Sequence, residues 1–306
     1  MNFADALTQK IIEKKNPSCV GLDPRLNQIP DFILEKNKEQ FGETIKAVAA
    51  TILEFNIHII DAVKDIVPAV KPQIAFYEQY GAEGLWAFDA TCRYAQDQGL
   101  LVIADGKRND IGSTCEGYAD AFLGEVEVFG KKERAFHADA LTVTPYLGSD
   151  GIKPFTKRCK DFDKGIFVLV KTSNPSGGEL QDLPVGDEVV HEYLAQLVEG
   201  WGTDLIGQSG LSSVGAVVGA TYPEEAKFLR TLMPHALFLV PGYGAQGGGA
   251  EDARPCFLPD GRGAIVNSSR GIIFAYQKDE KYQPENYADA ARDAAVTMKK
   301  DLEKLF

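Results

Sequence analysis

Two patterns of apolar residues alternate along the chain. In one they recur every three or four positions, which buries one face of a helix; in the other they run without interruption, which suits a strand covered on both faces. Phe3, Leu7, Ile11 and Ile12 have the first spacing ahead of Lys14-Lys15, so an amphipathic helix precedes the first strand. Ser18 to Leu22 reads as that strand, stopped at Asp23-Pro24. Ile45, Val48, Ile52, Phe55, Ile59 and Val63 predict a long helix from about Thr44 to Lys64. A strand Val67 to Val70 then ends at Lys71-Pro72, Gln73 to Gln98 reads mostly as helix, and Leu100 to Ala104 is the next apolar run. Beyond it come a helix over Gly117 to Val128 and apolar strands at Ala140 to Thr144, Gly165 to Val170, Val214 to Gly219, Leu237 to Val240 and Ala264 to Val266. A closing helix runs from about Tyr287 to Phe306.

Eight uninterrupted apolar runs, most of them separated by helical segments, are what a closed parallel (β/α)8 barrel requires. A length of 306 residues suits such a barrel as one domain over residues 1–306, with the first helix closing one end. The polar stretch from Ser176 to Asp187 reads as a long mobile loop that could serve as a lid.

In this architecture the residues that follow each strand meet at one face. Asp105-Gly106-Lys107-Arg108-Asn109-Asp110-Ile111 follows Leu100 to Ala104. Strand alternation directs Asp105 and Lys107 to the same side, and Asp110 comes after the chain has left the strand. A solvated surface ion pair is the commoner fate of such residues, but the position after a wholly apolar strand favours a functional role. Lys71 ends its strand in the same way and needs either solvent or a carboxylate partner. Asp23 is a strand-end candidate with a turn-forming aspartate as its alternative. Two further strand ends suit an anion. One is the glycine-rich segment from Pro241 to Gly249, and the other is Asn267-Ser268-Ser269-Arg270-Gly271 ahead of an apolar helical turn.

Composition narrows the classes. The chain is 44% hydrophobic and 25% charged, with no apolar run long enough for a membrane span, and Met1-Asn2-Phe3-Ala4-Asp5 has no signal pattern. A cytoplasmic location is the expectation. A net charge of −12 argues against nucleic acid as a partner. Five cysteines without a C-x-x-C pair signal neither a disulfide framework nor a zinc site, and none of the four histidines falls at a predicted strand end, which disfavours a histidine-based triad.

Taken in order, these strand ends resemble the orotidine 5′-phosphate decarboxylase family, in particular its longer bacterial group, often called type 2. The signature D-x-K-x-x-D-I matches Asp105, Lys107, Asp110 and Ile111. Gly21-Leu22-Asp23, Val70-Lys71-Pro72, Thr172-Ser173-Asn174-Pro175, Gln246-Gly247-Gly248 and Ser269-Arg270-Gly271 agree in order and strand position. Gly106 departs from the bulkier apolar residue of many relatives, and the stretches near Ser149 to Lys164 and Gln181 to Ser213 are longer than in short relatives.

The resemblance implies decarboxylation of orotidine 5′-monophosphate to UMP, the last step of pyrimidine nucleotide synthesis, without metal or organic cofactor. It implies a tetrad of alternating charge from Lys71, Asp105, Lys107 and Asp110, with Lys107 donating a proton to C6. In that pattern Asp110 and Thr114 cross a homodimer interface. Asp23, Lys71, Asp110 and Thr114 contact ribose, Ser173 the pyrimidine edge, and Gln246, Gly247, Ser269 and Arg270 with nearby loop N–H groups the phosphate. Two other readings compete. One is the related sugar-phosphate group, including 3-keto-gulonate 6-phosphate decarboxylase, which shares D-x-K-x-x-D but uses Mg²⁺; a lysine at position 71 would repel that cation. The other is a catalytically silent nucleotide-binding protein on the same barrel.

Overall fold

The structure is a computed structural model and describes residues 1–244 and 249–305. Among them, eight parallel strands close into a barrel: β1 (Ser18–Leu22), β2 (Ala69–Pro72), β3 (Leu101–Arg108), β4 (Ala140–Val143), β5 (Gly165–Lys171), β6 (Ser212–Val218), β7 (Ala236–Val240) and β8 (Ala264–Ser268). Each strand pairs with its sequence neighbour, and β1 pairs with β8 through Ser18↔Val266 to complete the ring. The parallel ladder leaves no open edge. It also brings the carboxyl ends of all eight strands to one face.

The predicted closing helix is α1 (Phe3–Lys14), capped by Asn2, whose side chain accepts the Asp5 N–H at 2.9 Å. Its apolar stripe plugs the opposite end of the barrel. Phe3 is 2% exposed and meets Phe167 edge-on at 5.9 Å, and Phe3, Ala4 and Leu7 share one cluster with inward residues such as Cys19, Ala69, Ile103, Ala140 and Ile265. A Cβ on Gly165 would lie 2.3 Å from the Phe3 ring, so β5 starts with the one residue that lets the ring in. A second, larger cluster lies between the strands and the surrounding helices.

Those helices include α2 (Asp31–Phe41), α3 (Ile45–Val63), α4 (Gly81–Asp97), α5 (Gly112–Leu123), α6 (Lys153–Phe162), α7 (Val190–Gly202), α8 (Pro223–Leu232) and α9 (Tyr287–Glu303). Several boundaries differ from the sequence expectation. Helix α2 has only Ile33 and Asn37 buried, too narrow an apolar stripe to be seen in the pattern. The 73–98 segment is a short helix Ala75–Glu78 followed by α4.

Helix α5 starts at Gly112 and ends at Leu123, not over Gly117 to Val128. Val126–Val128 alternates instead and pairs antiparallel with Lys131–Glu133. The stretch read as a long loop, 176–187, carries a short helix Gly178–Gln181 and the first strand of a hairpin, Pro184–Val185, which pairs with Glu188–Val189. The long stretches near 149–164 and 181–213 largely contain α6 and α7. All five cysteines are free and buried, and burial pushes the Cys19 thiol up to about 12, in keeping with inert packing.

Removing the plug should be costly. Phe3→Ala is expected to destabilise the fold by about 3 to 5 kcal/mol, measured as a lower denaturant midpoint at unchanged slope.

Candidate active site

The apolar core of β2 and β3 explains the charge placement at their ends. The strands pair in register, Ala69 with Leu101 and Val70 with Val102, so the residues after them continue side by side at the barrel mouth. Lys71 and Asp105 meet there: Nζ and Oδ2 are 2.6 Å apart, with side chains 6% and 10% exposed. On the other carboxylate oxygen, Asp105 Oδ1 accepts Lys107 Nζ at 2.6 Å and the Thr142 hydroxyl at 2.9 Å. One carboxylate thus lies between two ammoniums, one buried and one reaching towards the opening.

Asp105 and Lys107 do share a side, but regular strand alternation is not the reason. Lys107 has φ 46, in the left-handed region, and the β3–β4 register shifts between Ala104 and Arg108. The irregular backbone, not the period of two, carries the ammonium back over Asp105.

Burial raises the cost of the charged forms, yet the charges win. For Asp105, desolvation is outweighed by the Lys71 and Lys107 ammoniums, which hold the carboxyl well below the usual carboxylate range. For Lys71, desolvation is likewise outweighed by the Asp105 and Asp23 charges, which hold the ammonium above its ordinary value.

The cluster forms the floor of a cavity of 460 Å³. Leu169, Val217 and Leu239 form an apolar wall, while Thr172, Ser173 and Gln181 supply polar groups. A smaller recess of 180 Å³ adjoins it and shares Lys71, Asp105, Pro241 and Asn267. Asp23, Ser269 and Arg270 line that recess. Strand β1 can lie against Ser269 because residue 21 is glycine; a Cβ there would fall 1.9 Å from the Ser269 hydroxyl.

Of the residues singled out in the sequence, Asp23, Lys71, Asp105, Lys107, Ser173, Ser269 and Arg270 therefore meet around one connected space. Asp110 and Thr114 line neither part of it. Asp110 Oδ1 accepts the Ile111 N–H at 2.7 Å, and Thr114 is exposed on the first turn of α5. Gln246 and Gly247 lie outside the described residues. The helical turn after β8, Arg270–Ile273, is only four residues long, so attraction for an anion there rests on the Arg270 guanidinium more than on a helix dipole.

Thr142 and Gln181 were not singled out in the sequence, and Asn267 entered only as the first residue of an anion-suited strand end. Thr142 was the one polar inward position of a short apolar strand, and that contrast could have marked it. Asn267 stands at the end of β8, 8% exposed, with an Oδ1 lacking a hydrogen-bond partner among the described residues. Gln181 gave no local signal. It arrives from the connection after β5, where its amide accepts the Thr172 N–H at 3.0 Å and donates to the Thr172 hydroxyl at 2.7 Å. Lys171, just before it, pairs with Asp182.

Among the described residues no group of three or more histidine, cysteine or acidic side chains could hold a metal ion. Beside Asp105, the place where a cation would sit is taken by the two ammoniums. Among the described residues no helix is long and apolar enough to cross a membrane.

A (β/α)8 barrel with opposed fixed charges under an open chamber at its carboxyl face has the layout of a barrel enzyme acting on a small anionic molecule. Comparison with known proteins is more specific. Residues 17–283 match the model of the orotidine 5′-phosphate decarboxylase / HUMPS family, and the chain belongs to that family. It is 47% identical over 309 residues to the orotidine 5′-phosphate decarboxylase of Rhodopirellula baltica, covering 99% of each chain. It is also 47% identical over 277 residues to that of Caldicellulosiruptor bescii, covering 90% of this chain and 91% of the relative. The solved OMP decarboxylase of Leishmania donovani superposes with a TM-score of 0.75 at 30% identity, over 100% of this chain and 98% of that one.

The sign of each shift sets the pH window of the ion pair. Asp105 is depressed, so its contribution is present above its unfolded value near pH 4 and is lost as pH falls through its folded value; Lys71 is raised, so its contribution is present below about pH 10 and is lost as pH climbs through its folded value. The pair should therefore contribute evenly from about pH 5 to about pH 9. Lys71→Ala leaves the buried carboxylate with one counter-ion fewer and is expected to cost about 3 to 5 kcal/mol within that window, read from denaturant curves.

Proposed function

We propose that this chain decarboxylates orotidine 5′-monophosphate to UMP and CO₂, as a carboxy-lyase in the last step of pyrimidine nucleotide synthesis. The observation that carries the reading is the carboxylate between two ammoniums at the barrel mouth, in a family whose curated relatives are named for this reaction. We read residues 1–306 as one domain working in the cytoplasm, as a homodimer, with neither metal nor organic cofactor and with no nucleic-acid or membrane partner.

The chemistry asks for a cation at a fixed place. When the C6–carboxylate bond breaks, CO₂ leaves and the bonding pair stays on C6, in a ring with no electron sink for it. Lys107 stabilises that developing charge and gives C6 a proton; it regains one from solvent after UMP forms. Asp105 holds Lys107 in line, so little reorganisation is needed as charge develops. It also faces the substrate carboxylate across the chamber.

Ser173 reads the pyrimidine edge, while Asp23 and Lys71 hold ribose hydroxyls. Arg270, Ser269, Gln246 and Gly247 with loop N–H groups hold the phosphate, remote binding that secures the ring over Lys107. Asp110 and Thr114, which line neither part of their own subunit's site, act on the ribose bound by the partner subunit.

Two experiments test this. The purified protein in EDTA should consume orotidine 5′-monophosphate, followed by absorbance, and Lys107→Ala should lower kcat by roughly 10⁴-fold while UMP binding is largely kept. Activity that EDTA abolishes and Mg²⁺ restores would point to the metal-dependent relatives. Mixing inactive Asp110→Ala and Lys107→Ala subunits should regain activity in mixed dimers, and a mixture that stays inactive counts against a shared site.

A further inference from the structure

Non-glycine residues with positive φ among the described residues are Lys15, Lys107, Phe129 and Asp163. Lys15 and Asp163 are the C-caps of α1 and α6, and Phe129 sits in the tight turn of a hairpin, all ordinary places for such a backbone. Lys107 differs, because it lies inside barrel strand β3. An L-residue stays there only if its surroundings hold it.

The hold comes from the next strand. Where the β3–β4 register shifts, the Lys107 N–H donates at 3.0 Å to the hydroxyl of Thr142, which is 2% exposed on β4. The same hydroxyl donates at 2.9 Å to Asp105 Oδ1, and that oxygen accepts Lys107 Nζ at 2.6 Å. The hydroxyl therefore links the backbone end of Lys107, through one carboxylate oxygen, to its ammonium. Few side chains of this size can accept and donate at one atom; threonine and serine can, valine cannot. On the opposite flank Arg108 Nη1 donates to the Gly106 carbonyl at 2.8 Å, so the turn is held from both sides.

We infer that Thr142 is a positioning residue for the decarboxylation: its hydroxyl holds Lys107 in the left-handed conformation and aims the ammonium into the chamber. The inference rests on the substrate reading above for its kinetic test, and on geometry alone for its structural one.

Thr142→Val and Thr142→Ser are compared with the unaltered protein in the full chain. For T142V, kcat should fall on the order of 100-fold while KM and the UMP Kd stay within about threefold, since the groups that touch ribose and phosphate are untouched. T142S keeps the donor and the acceptor and should return kcat to within about tenfold of the original. Valine within threefold of the original, equal loss in valine and serine, or parallel loss of kcat and UMP binding would each overturn the role. Should T142V not fold, T142A adds no bulk and carries the same expectation.

A crystal structure of T142V or T142A separates this inference from the substrate assignment. Lys107 should leave the left-handed region and its Nζ should leave Asp105; retention of both refutes the inference even if orotidine 5′-monophosphate proves not to be the substrate. Absence of turnover in the unaltered protein, with Lys107 displaced in the variant, refutes the substrate reading alone.

Discussion

A single carboxylate bound to two ammoniums at the mouth of the barrel governs the site. Asp105 is almost wholly out of water, where an isolated ionised carboxylate is costly. Lys71 and Lys107 at 2.6 Å, with a hydroxyl on one of the same oxygens, offset that cost and favour the charged forms of Asp105 and Lys71. Taking away the buried Lys71 leaves the Asp105 carboxylate with only the half-exposed Lys107 as its ammonium partner, which is why such a cluster survives only where the backbone brings all of its members together. The closed parallel sheet does that. Neighbouring strands end side by side, so a lysine at the end of β2 and an aspartate near the end of β3 are adjacent in space although 34 positions apart in the chain.

Stability and chemistry pull in different directions around this cluster. The inner cluster, from Phe3 at the plugged end to Leu239, is apolar and close-packed. The mouth above it contains features that a merely stable protein would lack: a lysine with left-handed backbone, a register shift in β3, and buried oxygens of Asp23 and Asn267 with no hydrogen-bond partner among the described residues. Buried polar atoms are nearly always paired, and strained residues persist where the surroundings hold them. Within the recess, the unpaired acceptors of Asp23 and Asn267 suit hydroxyl or N–H donors of a ligand, and Arg270, which lines the same recess, suits an anionic group on it.

The architecture and the charged floor of the site follow from local pattern. Uninterrupted apolar runs separated by helical periodicity specify buried parallel strands, and in a barrel the residues after each strand meet at one face whatever the loops do. Lys71, Asp105, Lys107, Asp23, Ser269 and Arg270 were legible for that reason, each standing at a strand end, whereas Ser173 came from the family resemblance. Boundaries that depend on turns were less so. Helix α2 has too few buried positions to show a period, and the hairpin at 126–133 continues where a helix was expected.

How those charges are aimed depends on contacts between elements distant in the chain. Alternation along β3 predicts the right side for Lys107 for the wrong reason, since the left-handed backbone and the Thr142 hydroxyl, contacts across two strands, bring it over Asp105. Gln181 reaches the chamber because a helix after β5 folds back onto Thr172, and no local spacing encodes that return. Asp110 could be named from its motif, yet its distance from the chamber of its own chain became visible only in three dimensions. Periodicity reports which face of an element is buried; it does not report which atoms of two different elements are within hydrogen-bond distance, and the site is made of those.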